Sequence, residues 1–176
     1  MAVDTDNIEI GEGNLSLKFE GESTATDIGG CSGAVLDVSL KDLDVDVGQY
    51  IDPIDTFIIG RKISFEVTFK EDTMRNFVTA FGGDPADIDD NVGDETYSFP
   101  ANGVETTKYA LLVYAVPRVR EKTKFKTVSL WRVKATGGLK YVFDKEKIVA
   151  YKVTFKAYAD ATHSGSPGQL VREKLT

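Results

Sequence analysis

The chain has 176 residues, 41% of them hydrophobic and 28% charged, with a formal net charge of −7. That length suits one domain able to bury about 70% of its unfolded surface, and the acidic balance argues against a grip on nucleic acid through phosphate contacts, which needs Lys and Arg in excess. A single cysteine, Cys31, excludes an internal disulfide; the opening MAVDTDNIEI lacks the basic start and apolar core of a secretory signal, and no apolar run approaches the ~20 residues that span a membrane.

Residues 1–13 are polar and Gly-punctuated and read as an N-terminal arm. Asn14 to Glu20 alternates, with Leu15, Leu17 and Phe19 on one side, and predicts a first strand. Gly21 to Ser32 is rich in Gly, Ser, Thr and Asp and reads as a loop. From Gly33 to Lys70 two strand-like arms flank a Gly/Pro-containing middle. In the second, Ile63, Phe65, Val67 and Phe69 alternate with polar residues, as one face of a half-buried sheet requires. In the first, Leu36, Val38 and Leu40 alternate with Asp37, Ser39 and Lys41. The phase then flips, so that Leu43, Val45 and Val47 are apolar and Asp42, Asp44 and Asp46 take the other side. Such a flip predicts a bulge or bend. An extended Gly33 to Val47 would span roughly 50 Å, against about 17–20 Å for a common strand. The expectation is a hairpin whose outer part, residues 40–60, projects from the domain. Its apolar residues Leu43, Val45, Val47, Tyr50, Ile51, Pro53, Ile54, Phe57 and Ile58 are then candidates for a subunit interface.

Beyond Lys70 the period changes. Asp72 or Thr73 can cap a short helix, Met74 to Phe81, with Met74, Phe77, Val78 and Phe81 at i, i+3, i+4 and i+7, lying as a lid over one open end of the sheets. Gly82-Gly83 stops it and Pro85 prevents resumption. An acidic loop (Asp84 to Glu95) and a short strand (Thr96 to Pro100) follow. Lys108 to Val116 is apolar on both faces, as a central strand should be. Thr123 to Ala135 alternates and places Lys124, Lys126, Arg132 and Lys134 on one face. Leu139 to Phe143 and Lys147 to Ala159 read as the last strands, and residues 161–176 as a loop and C-terminal tail. About seven strands and one short helix over residues 14–160 predict a mainly β chain, a β-sandwich or barrel.

Little here promises catalysis or cofactor binding. His163 is the only histidine, in a Gly/Ser/Pro loop without a Gly-x-Ser-x-Gly context, and Cys31 lies in GGCSG. One Cys and one His are too few for a usual zinc site, and no phosphate-cradling glycine motif occurs. Asp42-x-Asp44-x-Asp46 resembles a calcium loop only at its start, because Val47 and Pro53 stand where Gly and Glu are required. In a strand those three carboxylates stand ~7 Å apart on one face. Asp84, Asp87, Asp89, Asp90, Asp94 and Glu95 form a weaker calcium candidate. The reading is therefore no enzyme, no metal and no cofactor.

In the order of its parts the chain resembles the major tail tube protein of long-tailed, non-contractile bacteriophages. The resemblance covers most of residues 15–160. It runs through Gly29-Gly30, the acidic arm Val35 to Val47, RKISFEVTFKE (Arg61 to Glu71), NFVTAFGG (Asn76 to Gly83) and VAYKVTFKAYAD (Val149 to Asp160). These are patterns of residue type rather than catalytic signatures.

The resemblance implies a virion tail protein, made in the host bacterial cytoplasm, whose β-sandwich closes into hexameric rings stacked into a hollow tube. Its partners would be copies of itself, a tape measure protein, and tail-tip and tail-terminator proteins, with DNA passing through unbound and no membrane involved. Asp42, Asp44 and Asp46 are candidates for acids facing the channel. Alternatives are a tail terminator, the ring protein of a contractile tail or secretion tube, and an unrelated β-sandwich binding module or small hydrolase.

Overall fold

The computed structural model describes residues 12–45, 55–99, 108–117, 123–136 and 150–173. The described chain is mainly β. Strands β1 (Asn14–Phe19), β2 (Thr26–Asp27), β3 (Cys31–Val45) and β4 (Asp55–Phe69) precede the one α-helix, α1 (Met74–Phe81). After it come the short β5 (Asp89–Asn91) and β6 (Asp94–Thr96), then β7 (Ala110–Pro117), β8 (Phe125–Thr136), β9 (Tyr151–Ala157) and β10 (Gly168–Arg172). Eight strands make one antiparallel sheet in the order β2-β1-β7-β8-β9-β4-β3, with β10 also on β8, while β5 and β6 pair by themselves. The predicted hairpin, first strand, central strand and closing strand are all present. The loop 21–32 and the segment 161–176 carry strands that sequence patterning does not show, since β2 and β10 are short and mostly exposed. The strand reading of 139–143 lies outside the described residues.

The sheet folds over on itself without closing into a barrel. Strand β8 is where it turns. One edge pairs with β7 from Phe125 to Val133, while the other is shared: Lys126 to Leu130 pair with β10, and Val133 to Thr136 with β9. A one-residue irregularity between the Leu112–Leu130 and Ala110–Val133 pairs marks the bend. Inward alternation from β1, β4, β7 and β9 then meets in one core. Leu15, Leu17, Phe65, Val67, Phe69, Leu112, Val133, Tyr151, Val153 and Phe155 are buried in it. Phe65 of β4 lies 5.2 Å from Tyr114 of β7, so the two layers touch directly. Tyr114 accepts a hydrogen bond from Gly13 N at 2.8 Å, leaving no space for a side chain there.

The bend at β8 also corrects an expectation. Strict alternation puts Lys124, Lys126, Arg132 and Lys134 on one face, but the extra residue changes the parity. Lys126 shares its side with the inward Val128 and Leu130, whereas Arg132 and Lys134 alternate with the buried Val133 and lie outside.

Helix α1 has the predicted bounds. Thr73 is its N-cap, accepting from Asn76 N, and Gly82 closes it at φ 89°, a left-handed conformation that favours glycine. Its buried residues are Asn76, Val78, Thr79 and Ala80, not the full apolar set read from spacing. Asn76 donates from Nδ2 to the carbonyls of Ile28 (2.9 Å) and Glu71 (3.1 Å), so a polar residue is what the core requires there. Phe77 and Phe81 turn instead to an aromatic cluster with Tyr97, Phe99 and Tyr151, ring centroids 5.1–6.4 Å apart.

Candidate assembly interface

Strands β3 and β4 are 15 residues each. Strand β4 pairs with β9 only from Ser64 to Phe69, and β3 is the edge of the sheet. Residues 55–62 and their partners on β3 thus extend past the body as a two-stranded ribbon, roughly 26 Å long at about 3.3 Å per residue. Large apolar side chains stay uncovered on it. Leu40, Leu43 and Phe57 are each 55% exposed and Ile58 is 66% exposed, with Val38 and Ile59 also exposed.

Two bulges set which way these side chains point. Near the root, Gly33 (φ 64°) and Ala34 stand opposite Val67 alone, between the Ser32–Thr68 and Val35–Glu66 pairs. Farther out, Lys41 pairs with Gly60 and Asp42 with Ile58, so Ile59 of β4 is the extra residue. The phase flip read in β3 therefore coincides with a bulge, but the bulge lies in the partner strand. Strand β3 runs on without interruption at that point, and its apolar residues change face. Directly opposed residues share a face. Leu36, Val38 and Leu40 lie with Phe65, Ile63 and Arg61 on the face that continues the core. Asp42 and Asp44 follow on that same face with Ile58 and Thr56, and Thr56 Oγ1 donates to Asp44 at 2.8 Å. Leu43, Phe57 and Val45 lie on the reverse, outer face.

Of the sequence candidates, the structure brings Leu43 and Phe57 together as a cross-strand pair, puts Val45 beside them and separates Ile58 onto the opposite face. Val47, Tyr50, Ile51, Pro53, Ile54 and Asp46 lie outside the described residues. Exposed Val38 and Leu40 lie on the same face as Ile58.

The residues weighed for chemistry are otherwise engaged. Cys31 is buried at the start of β3, its thiol 3.3 Å from the Gly13 carbonyl, and burial pushes its pKa up, away from thiolate reactivity. His163 lies flat on Trp131, centroids 4.1 Å apart, with Nδ1 2.9 Å from Asp160 Oδ2. That hydrogen bond, with two more from Thr162, holds the Asp160 carboxyl down at about 2. This stack borders an open cleft of about 620 Å³ that also reaches Lys18, Glu20, Tyr109 and Arg132. The acidic loop is partly a strand pair: Asp89 and Asp90 lie on β5, Asp94 and Glu95 on β6, with Asp90 opposite Glu95. Asp84 is buried, caps a 3-10 turn through Ala86 N and pairs with Lys108 at 2.5 Å, which raises the lysine's pKa. Among the described residues no His/Cys/Asp/Glu group is placed to hold a metal.

No protein-family model and no curated protein sequence matches the chain. In fold it is similar to a chain of the anti-feeding prophage baseplate, solved by cryo-electron microscopy with 6-fold symmetrisation. The TM-score is 0.57 at 10% identity, over 99% of this chain and 100% of that one. It is also similar to a chain of the anti-feeding prophage cap, a tube terminating cap, with a TM-score of 0.52 at 11% identity over 98% and 100%. Both come from a phage-tail-like assembly, and what the chain shares with them is the fold.

Proposed function

We propose that this chain is a structural protein of a phage tail, a subunit that closes into hexameric rings and stacks them into the hollow tube through which DNA passes. The observation that carries this reading is the ribbon of β3 and β4, which leaves the body, pairs among the described residues only with itself and exposes apolar side chains on both faces. Such side chains call for a partner, and a head-to-tail contact between copies supplies one for every subunit. The likeness to chains of a tail-like assembly points to the same setting. The net charge of −7 suits a conduit that must not retain the polymer moving through it. Tape measure, tail-tip and terminator proteins would be its neighbours in the virion. The reading carries no catalytic role.

A second reading is favoured by the likeness to the tube terminating cap: a terminator, which forms one ring and stops. Negative-stain electron microscopy of the purified protein across a concentration series, with light scattering, separates the two. Hollow tubes support the tube subunit, and discrete rings support the terminator. Monomers at every concentration, unchanged after purified tail tips are added, would remove both.

A further inference from the structure

The aromatic cluster beside α1 leaves an open cleft of about 670 Å³, lined by Met74, Phe77, Tyr97 and Phe99 together with Asp72 and Glu95, and by no basic side chain. That volume suits large side chains of a partner, and Phe99 is 60% exposed within it. Asp72 already accepts a hydrogen bond from the Tyr151 hydroxyl. Glu95 stands directly opposite Asp90 in the β5–β6 pair; both are exposed, and neither carboxylate has a partner among the described residues. Like charges directly opposed across strands are unfavourable, so cations brought to this rim relieve the pair.

The outer face of the ribbon carries the complementary groups. Beside the opposed Leu43 and Phe57, the next positions toward the body on that face are Lys41, opposite Gly60, and Lys62, opposite Ser39. Both lysines are exposed and have no ion-pair partner among the described residues. The acids of this face flank the patch. Asp37 lies one pair nearer the body, and Asp55, opposite Val45, lies at the far end, where it accepts from Thr56 N at 2.8 Å. Arg61, Asp42 and Asp44 belong to the other face. A ribbon does not reach its own cleft: Phe57 and Phe69 are separated by about 40 Å of extended β4, and Thr73 and Met74 at the cleft follow only beyond Phe69. We infer that the outer face of the ribbon docks in the aromatic cleft of a second copy, Phe57 and Leu43 on Phe77, Tyr97 and Phe99, and Lys41 and Lys62 on Asp90 and Glu95. The steps match, since Lys41 and Leu43 are two residues apart, about 7 Å, as are Glu95 and Tyr97. The contact joins opposite ends of the molecule and is heterologous, so each added copy presents a new ribbon or a new cleft. It deepens the tail-assembly reading and rests on it.

Charge reversal and cross-linking test this together. Lys41→Glu with Lys62→Glu, and separately Asp90→Lys with Glu95→Lys, should each raise the concentration needed for assembly by roughly tenfold or more. Thermal unfolding should be unchanged, because all four residues are exposed. The four substitutions in one chain should restore assembly. In parallel, a Lys62→Cys chain mixed with a Glu95→Cys chain should form a disulfide between copies under mild oxidation, Cys31 being buried. That cross-link without rings or tubes would support the contact and remove the tail reading. Tubes formed by the Lys41→Glu/Lys62→Glu protein at the wild-type concentration would overturn the contact and leave the tail reading standing. Disulfide dimers of the Lys62→Cys chain alone, formed as readily as the mixed pair, would assign the ribbon to a second ribbon and also overturn it. Neither cross-link nor assembly would remove both.

Discussion

The His163 ring stacks on Trp131 with planes within 6° and centroids 4.1 Å apart. Trp131 sits on β8 where one edge passes from β10 to β9, and Trp131 N donates to the Pro167 carbonyl at 3.0 Å. The stack fastens the loop from Tyr158 to Pro167 across the place where the sheet changes partner. Replacing His163 with Ala should cost about 1 kcal/mol from the lost ring contact, read as a lower urea midpoint at neutral pH.

That substitution also has a pH signature. His163 is the first cause of the lowered Asp160 pKa, about 2 against an ordinary 3.8. A carboxylate depressed on folding contributes stability that is full above the unfolded value and disappears as pH falls through the folded one. The wild-type advantage over His163→Ala should therefore narrow from about pH 4 downward and lose its charge component near pH 2. Urea titrations at pH 6, 4, 3 and 2 follow it; a gap that stays constant would contradict the assignment.

Asn76→Ala should destabilise the domain by about 2–4 kcal/mol, because the carbonyls of Ile28 and Glu71 each lose a buried partner. Asn76→Leu should do no better despite its apolar character. Differential scanning calorimetry of both variants checks this.

Val153 and Phe155 face the core from β9 and are almost fully buried. Aspartate at either position places a charge without a partner among Val67, Phe65 and Phe69, a cost of several kcal/mol. The variant should be insoluble or unfolded by circular dichroism. A folded, soluble variant would mean the two faces of β9 had been inverted.

Deleting Leu43 to Phe57 and closing the ribbon with a two-residue turn removes, among the described residues, only pairs that β3 and β4 make with each other. The melting temperature should change by no more than a few degrees, while assembly followed by light scattering should be abolished. An unfolded deletion product would place this stretch in the core.

The strands of the fold were legible where burial on one side enforces alternation, as in β1, β9 and the inner half of β4. The helix was legible from Thr73 and Gly82, whose capping chemistry is local. What sequence patterning missed depends on distant partners. Asn76 reads as a helix-surface residue until the Ile28 and Glu71 carbonyls arrive. The bulge at Ile59 leaves its trace on the other strand, as the phase flip between Leu40 and Leu43, because only pairing reveals which strand holds the extra residue. The basic face was half legible: Arg132 and Lys134 were grouped correctly, but Lys124 and Lys126 were added because the parity change at the β8 bend has no local signature. Of the interface candidates, Leu43 and Phe57 were read on the right element, and their face could not be known without the register.

The extra residue at Ile59 bears on how many neighbours one subunit can grip. A ribbon that was apolar along one side would be satisfied by a single partner, and subunits so linked make strings. Here the uncovered side chains change sides partway along, with Val38 and Leu40 on one and Leu43 and Phe57 on the other. In the tail assembly proposed above, each arm would have two contacts to satisfy, from opposite directions. Bonds of that valence, made by every member, would knit a continuous wall rather than a chain.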